Sequence, residues 1–203
     1  MKQHKNLPKF DDNSYVHFIT TGTCENRPYF SDGEFCRILR EELEFYRDKY
    51  GFTLLGYVIM PDHVHLLLWW DKMAKPDLGI SKIMQGIKGT TARRIIGLMI
   101  SGRLEQMLQS TSMIAPESTK SHKRNLRYRL WQHGFYDFNI YSEEKFLEKF
   151  DYIHNNPVKA GLVSSPGNYR CSSYKLYFDT PEVGESISPP PDMALGADAP
   201  RYP

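Results

Sequence analysis

The chain predicts an α+β fold: a ferredoxin-like antiparallel sheet with packed helices and a C-terminal tyrosine-bearing helix. Two observations carry this. Strand-like runs rich in β-branched and aromatic residues alternate with stretches whose apolar residues recur three and four apart. Two of the strand-like runs are also joined directly, by Pro61-Asp62, as a hairpin would be. The resulting order is strand, helix, two strands, helix, strand, helix.

Residues 14–23, SYVHFITTGT, alternate as a strand does, and Glu25 to Pro28 with Asn26 read as a turn. From Asp32 to Tyr50 the positions Phe35, Ile38, Leu39, Leu43 and Tyr46 form a helical stripe, with Ser31 as the expected N-cap and Gly51 as the stop. FTLLGYVIM (52–60) and HVHLLLWW (63–70) are the hairpin strands. Gly79 to Ile100 predicts a second helix with Ile80, Ile83, Met84, Ile87 and Ile95 inward, and its Gly86, Gly89 and Gly97 suggest close packing. Residues 101–127 are polar and irregular, LWQHGFYDFNI (130–140) reads as a further strand, and Ser142 can cap a helix that Pro157 should end. From Asp179 onward the composition is that of a disordered tail.

With 203 residues the chain suffices for one domain, with or without an appendage, and for a substantial core. Cys24, Cys36 and Cys171 are widely spaced and form no CxxC pair, which suits a reducing cytoplasm. Neither a signal-peptide apolar region nor a run of membrane-spanning length is present, so a soluble, unexported protein is expected. The net charge of +2 conceals a split: residues 179–203 hold five acids and one arginine, leaving 25 minus 19, or +6, for residues 1–178. Two windows are free of acids. One holds Lys82, Lys88, Arg93, Arg94 and Arg103, the other Lys120, Lys123, Arg124, Arg127 and Arg129. Such clusters usually form solvated faces, but phosphate is their natural partner.

The segment MPDHVHLL (60–67) places His63 and His65 two apart in an apolar run. On a strand both imidazoles project from one face, while Val64, Leu66 and Leu68 point to the other. Burying two imidazoles side by side without a ligand costs desolvation twice, so the spacing favours a metal pair over core histidines. On the helix SEEKFLEKFDYIHNNP, a turn of 100° per residue groups Phe146, Leu147, Phe150 and Ile153 as the core stripe. Lys145, Lys149, Tyr152 and Asn156 fall on another, with Tyr152 and Asn156 one turn apart.

These segments resemble the single-tyrosine HUH (IS200-like) transposases, especially the REP-associated tyrosine transposases. The likeness rests on MPDHVHLL at 60–67, WQHGFYDFNI at 131–140, DYIHNNPVKAGLV at 151–163 and YRCSSY at 169–174, in the family's order. It covers about residues 8–178 as one catalytic domain and leaves 179–203 outside. Carried over, it implies His63 and His65 as metal ligands, Asn156 as the third ligand and Tyr152 as the nucleophile. The implied activity is cleavage and rejoining of single-stranded DNA through a 5′-phosphotyrosine, with Mg²⁺ or Mn²⁺ as cofactor. The implied partner is single-stranded or hairpin DNA, contacted by the two basic windows, with Tyr128, Trp131 and Phe135 as candidate stacking residues. Lys145 or Lys149 could help activate the phenol, whose ordinary pKa is about 10. Related enzymes include monomers and dimers, so a homodimer stays open. The chain departs from the family at Phe138 and Tyr141, where relatives often carry His and Arg, which bears on target choice. The alternatives are a domesticated DNA-binding protein without catalysis and a phosphodiesterase that uses metal-activated water.

Overall fold

The computed structural model describes residues 15–100 and 129–178. The expectations for residues 101–127 and for the tail from Asp179 lie outside the described residues. Val16–Gly22 (β1) is followed by the helix Gly33–Tyr50 (α1), the hairpin Thr53–Ile59 (β2) and His63–Trp69 (β3), and the helix Ile80–Ile100 (α2). Then come Tyr136–Ile140 (β4), the helix Glu143–Lys159 (α3) and the short helix Tyr174–Phe178 (α4). The strands form one sheet in the order β2-β3-β1-β4, every neighbouring pair antiparallel. Two interleaved βαβ units produce that order, which is the ferredoxin-like arrangement expected from the sequence.

Alternation along the strands divides the core in two. Ile19, Val64, Leu66 and Leu68 face α1 and α2, where they meet Phe35, Ile38, Leu39, Leu43, Ile83, Met84 and Ile87. Val16, Phe18, Val58, Leu67 and Ile140 face the other way and are covered by Phe146, Phe150 and Ile153 of α3. The sheet is thus a middle layer with α1 and α2 on one side and α3 on the other. Beyond β2, residues 171–173 run along its outer edge: Ile59 N–H donates to the Cys171 carbonyl at 2.8 Å and Ser173 N–H to that of Tyr57 at 3.0 Å. This covers an edge that would otherwise present unpaired backbone groups.

Several boundaries differ from the sequence-based expectation. Asp32, not Ser31, caps α1, its Oδ1 accepting from Glu34 N–H at 2.7 Å, because Ser31 is already part of the one-turn helix Tyr29–Ser31. Gly51 stops α1 as expected, with φ at 61°. The fourth strand begins at Tyr136 and not at 130: Trp131 makes only an isolated bridge to Thr23, and Gly134 at φ 72° turns the chain before pairing resumes. Pro157 does not end α3, which runs on to Lys159. The proline lies in the last turn, its ring is buried, and Ala160 N–H still reaches the Asn156 carbonyl at 2.9 Å, so only one helical bond is forfeited. Leu147, placed on the core stripe by projection, is 42% exposed, and His154 and Pro157 are buried in its stead. The contact stripe is narrower than a third of the circumference and Leu147 falls beyond its rim.

Of the three α2 glycines only Gly86 marks close packing. A Cβ there would lie 2.5 Å from Tyr46 Cε1, and that ring is held because the Tyr46 hydroxyl is hydrogen-bonded to Thr90 Oγ1 at 2.7 Å. Gly89 and Gly97 have nothing within 4 Å of such a Cβ. Arg94 ties α2 to α1, its guanidinium donating to buried Glu42 at 2.8 Å and to Glu41 at 2.7 Å. Gly86→Ala should therefore cost about 1–3 kcal/mol by overpacking, whereas Gly89→Ala should stabilise by about 0.5–1 kcal/mol, both read from urea unfolding midpoints. By the same measurement Arg94→Ala, which leaves the Glu42 carboxylate buried without its partner, should cost about 1–3 kcal/mol.

Candidate active site

β3 carries His63 and His65 on the α3 side of the sheet, because Val64, Leu66 and Leu68 fill the opposite core. The ring centroids of the two histidines are 4.9 Å apart. α3 is capped by Ser142, whose Oγ accepts from Lys145 N–H at 3.1 Å, and lies along the same face through its buried stripe. It comes unusually close to β2 at Gly56, where a Cβ would stand 2.9 Å from Ile153 Cδ1. That approach turns the neighbouring stripe of α3 toward the histidines.

Tyr152 and Asn156 consequently meet His65, some ninety residues earlier in the chain. The Tyr152 ring is 5.3 Å from that of His65, edge-on, and Asn156 Nδ2 donates to His65 Nε2 at 3.2 Å. Phe18, stacked on His65 at 5.4 Å, touches Tyr152 from β1 at 6.0 Å. Tyr152 remains 36% exposed, whereas His65 is buried. The tyrosine and the histidines that meet here belong to the same chain.

Each imidazole is held from behind. If Asn156 donates to Nε2, the proton of His65 resides on Nδ1, which donates to Thr20 Oγ1 at 2.8 Å. Thr20 and His65 are register partners across β1 and β3. His63 Nδ1 donates to Asp62 Oδ1 at 2.6 Å, fixing the same tautomer. Both rings therefore direct an Nε2 lone pair away from their supports. Burial first, then the charges of His63 and Lys149, push the His65 pKa down to about 3, so the ring is neutral at ordinary pH. Neither Thr20 nor Asp62 is among the expected site residues, although Asp62 stands inside the motif and Thr20 inside the first predicted strand.

For a divalent cation the donor set would be two imidazoles and one side-chain amide. Among the described residues no three His, Cys, Asp or Glu side chains are grouped to hold a metal. Two neutral imidazoles are available, and turning the Asn156 amide over would present its oxygen beside His65. Supports behind metal-binding imidazoles are a usual part of such sites.

The expected cations are more varied. Lys145 pairs with Glu148, while Lys149 stands 5.6 Å from the Tyr152 ring centroid, which favours Lys149 of the two as the neighbour of the phenol. Lys82, Lys88, Arg93 and Arg94 are all on α2, across the sheet from Tyr152. Lys88 is spent on the Gln132 and Gly134 carbonyls, and burial lowers its pKa to about 8. Arg94 is held by Glu41 and Glu42, Arg93 is exposed and reaches Thr90 Oγ1 at 3.1 Å, and Lys82 stands 5.9 Å from the Tyr50 ring. Exposed Arg129 donates from Nε to the Trp131 carbonyl at 3.1 Å. Lys120, Lys123, Arg124, Arg127 and Tyr128 lie outside the described residues. Trp131 is a core residue, tilted against Phe30 at 5.2 Å with its indole N–H on the Lys88 carbonyl, and Phe135 packs against the same core.

Residues 11–99 match the family model for IS200-like transposases. A curated relative from Haemophilus influenzae, described as a REP-associated tyrosine transposase, is 25% identical over 154 residues, covering 74% of this chain and 75% of that protein. The solved structure of a REP-associated tyrosine transposase bound to a REP hairpin has the same fold, with a TM-score of 0.63 over 97% of this chain and 98% of that one at 16% identity. A transposase structure from Deinococcus radiodurans matches at TM-score 0.43 and 20% identity, over 73% of this chain and 97% of that one, too distant to bear on the fold. Family model, curated relative and fold agree with the motifs in pointing to the IS200-like transposases, and the chain is similar to the REP-associated tyrosine transposases among them.

Proposed function

We propose that this protein is a transposase that cleaves and rejoins single-stranded DNA through a 5′-phosphotyrosine at Tyr152, with residues 8–178 as its catalytic domain. The observation that carries the reading is the convergence of Tyr152 and Asn156 on His65 across two layers of the fold. Tyr152 Oη attacks a DNA phosphorus: the Oη–P bond forms, the P–O3′ bond breaks, and the phenol proton ends on the departing 3′-hydroxyl. Attack by another 3′-hydroxyl reverses the step and conserves the bond energy, so strand joining needs no nucleotide triphosphate.

His63, His65 and Asn156 would hold Mg²⁺ or Mn²⁺, which supplies Lewis-acid polarisation of the scissile phosphate when bound. Thr20 and Asp62 fix the imidazole tautomers for that duty. Phe18 supports the Tyr152 ring and His65 together, so that nucleophile and ligand keep their spacing. A hairpin with a flanking single-stranded cleavage site is the proposed DNA, in keeping with the REP hairpin on the structural neighbour. Of the basic residues, exposed Lys82, Arg93 and Arg129 are better suited to backbone phosphates than Lys88 and Arg94, whose charges are engaged within the fold.

Denaturing gels of labelled hairpin oligonucleotides with Mg²⁺, Mn²⁺ or EDTA test this. Wild type should give a metal-dependent covalent adduct, Tyr152→Phe none, and His65→Ala little or none. Cleavage by Tyr152→Phe at the wild-type rate would replace the tyrosine with metal-activated water, and tight binding with no cleavage would make the protein a DNA binder. Thr20→Val, which removes the acceptor behind His65 while keeping the strand, should weaken Mn²⁺ binding by about 10–100-fold in calorimetric titration.

A further inference from the structure

Two ammonium groups bracket the Tyr152 ring. Lys149 Nζ lies 5.6 Å and Lys159 Nζ 5.5 Å from its centroid. They come from opposite directions along α3, three residues before Tyr152 and seven after, positions that share one side of the helix. The two differ in what else they touch. Lys149 stands over Phe18 at 5.3 Å and Phe138 at 5.8 Å, and Glu148 Oε1 takes its charge at 3.1 Å. Lys159 is exposed, and among the described residues its ammonium has no carboxylate or hydrogen-bond partner.

The acids of α3 do not cancel it. Glu148 is shared by Lys145 and Lys149, and Asp151 accepts from Asn155 Nδ2 at 2.7 Å. Glu143 and Glu144 lie in the first turn, at the far end of the helix. A cation in the last turn suits the helix dipole, which accounts for a lysine near the C-terminus but not for its pose over this ring. An exposed cation without a carboxylate partner, beside a half-exposed nucleophile, is available to an anionic reactant.

We infer that Lys159 contacts the substrate, its ammonium pairing with a non-bridging oxygen of the phosphate that Tyr152 attacks. This rests on the tyrosine strand-transfer reading. Because the phosphate carries charge before attack and more in the pentacovalent transition state, the contact strengthens as the Oη–P bond forms. Lys149, neutralised in part by Glu148 and seated on the aromatic rings, keeps a positioning role beneath Tyr152.

The test is single-turnover adduct formation at saturating oligonucleotide with wild type, Lys159→Ala, Lys159→Arg and, as a control, Lys145→Ala. Each is run on DNA carrying a normal linkage or an uncharged methylphosphonate at the scissile position. Lys159→Ala should slow the normal substrate on the order of 10²-fold, Lys159→Arg should restore most of the rate, and Lys145→Ala should match wild type. The methylphosphonate penalty seen with wild type should shrink in Lys159→Ala, which a merely structural defect would not do. A Lys159→Ala rate equal to wild type, or an unchanged methylphosphonate penalty, overturns the contact while leaving the tyrosine mechanism standing. Failure of wild type to form any adduct overturns the strand-transfer reading itself.

Discussion

Everything at the candidate site depends on how α3 seats against the open face of the sheet. Phe146, Phe150 and Ile153 pack on Phe18, Val58 and Leu67, and Gly56 lets the helix approach closely. Burial of three such side chains outweighs any single polar contact of the site, at about 1.5–3 kcal/mol each. The polar stripe beside them therefore has no freedom in where it points. Tyr152 and Asn156 are presented to His65 as a by-product of hydrophobic packing, and rigid layers hold the spacing that two-point chemistry needs.

The sheet contributes through its alternation. One strand supplies Val64, Leu66 and Leu68 to the core under α1 and α2, and His63 and His65 to the opposite face. Register then places Thr20 opposite His65 and Phe18 two residues away along β1, so the neighbouring strand both holds the imidazole proton and stacks on the ring. A one-residue slip would exchange the two faces and abolish site and core together. The edge of β2 is secured by residues 171–173, and Ser173 Oγ and His154 Nε2, hydrogen-bonded at 2.9 Å, tie that segment back to α3. The segment thus braces the same helix that carries the tyrosine.

Charge divides into structural and available cations. Arg94 and Lys88 are consumed in joining α1 to α2 and α2 to the loop before β4, although in the sequence they are indistinguishable from their neighbours. A run of cations without acids nearby in sequence can find its acids in space, as Arg94 finds Glu41 and Glu42. Lys159 is the reverse case: a residue with no distinction in composition becomes conspicuous because no acid of its helix pairs with it, Glu148 being taken by Lys145 and Lys149.

The sequence by itself determined the element types, the α+β order and the pairing of His63 with His65, because these follow from periods of two and 3.6 and from Pro and Gly at the turns. It also determined that Tyr152 and Asn156 share a side of α3, since neighbours on a helix are a property of the helix alone. It misjudged the ends of elements, at Ser31, Leu130 and Pro157, and the inward direction of Leu147, where capping and contact with the next layer overrule local preference. Only the tertiary structure decided which face of the sheet α3 covers, and hence that histidines and tyrosine meet within one chain. That choice is made by complementary packing between segments ninety residues apart, and no local pattern encodes it.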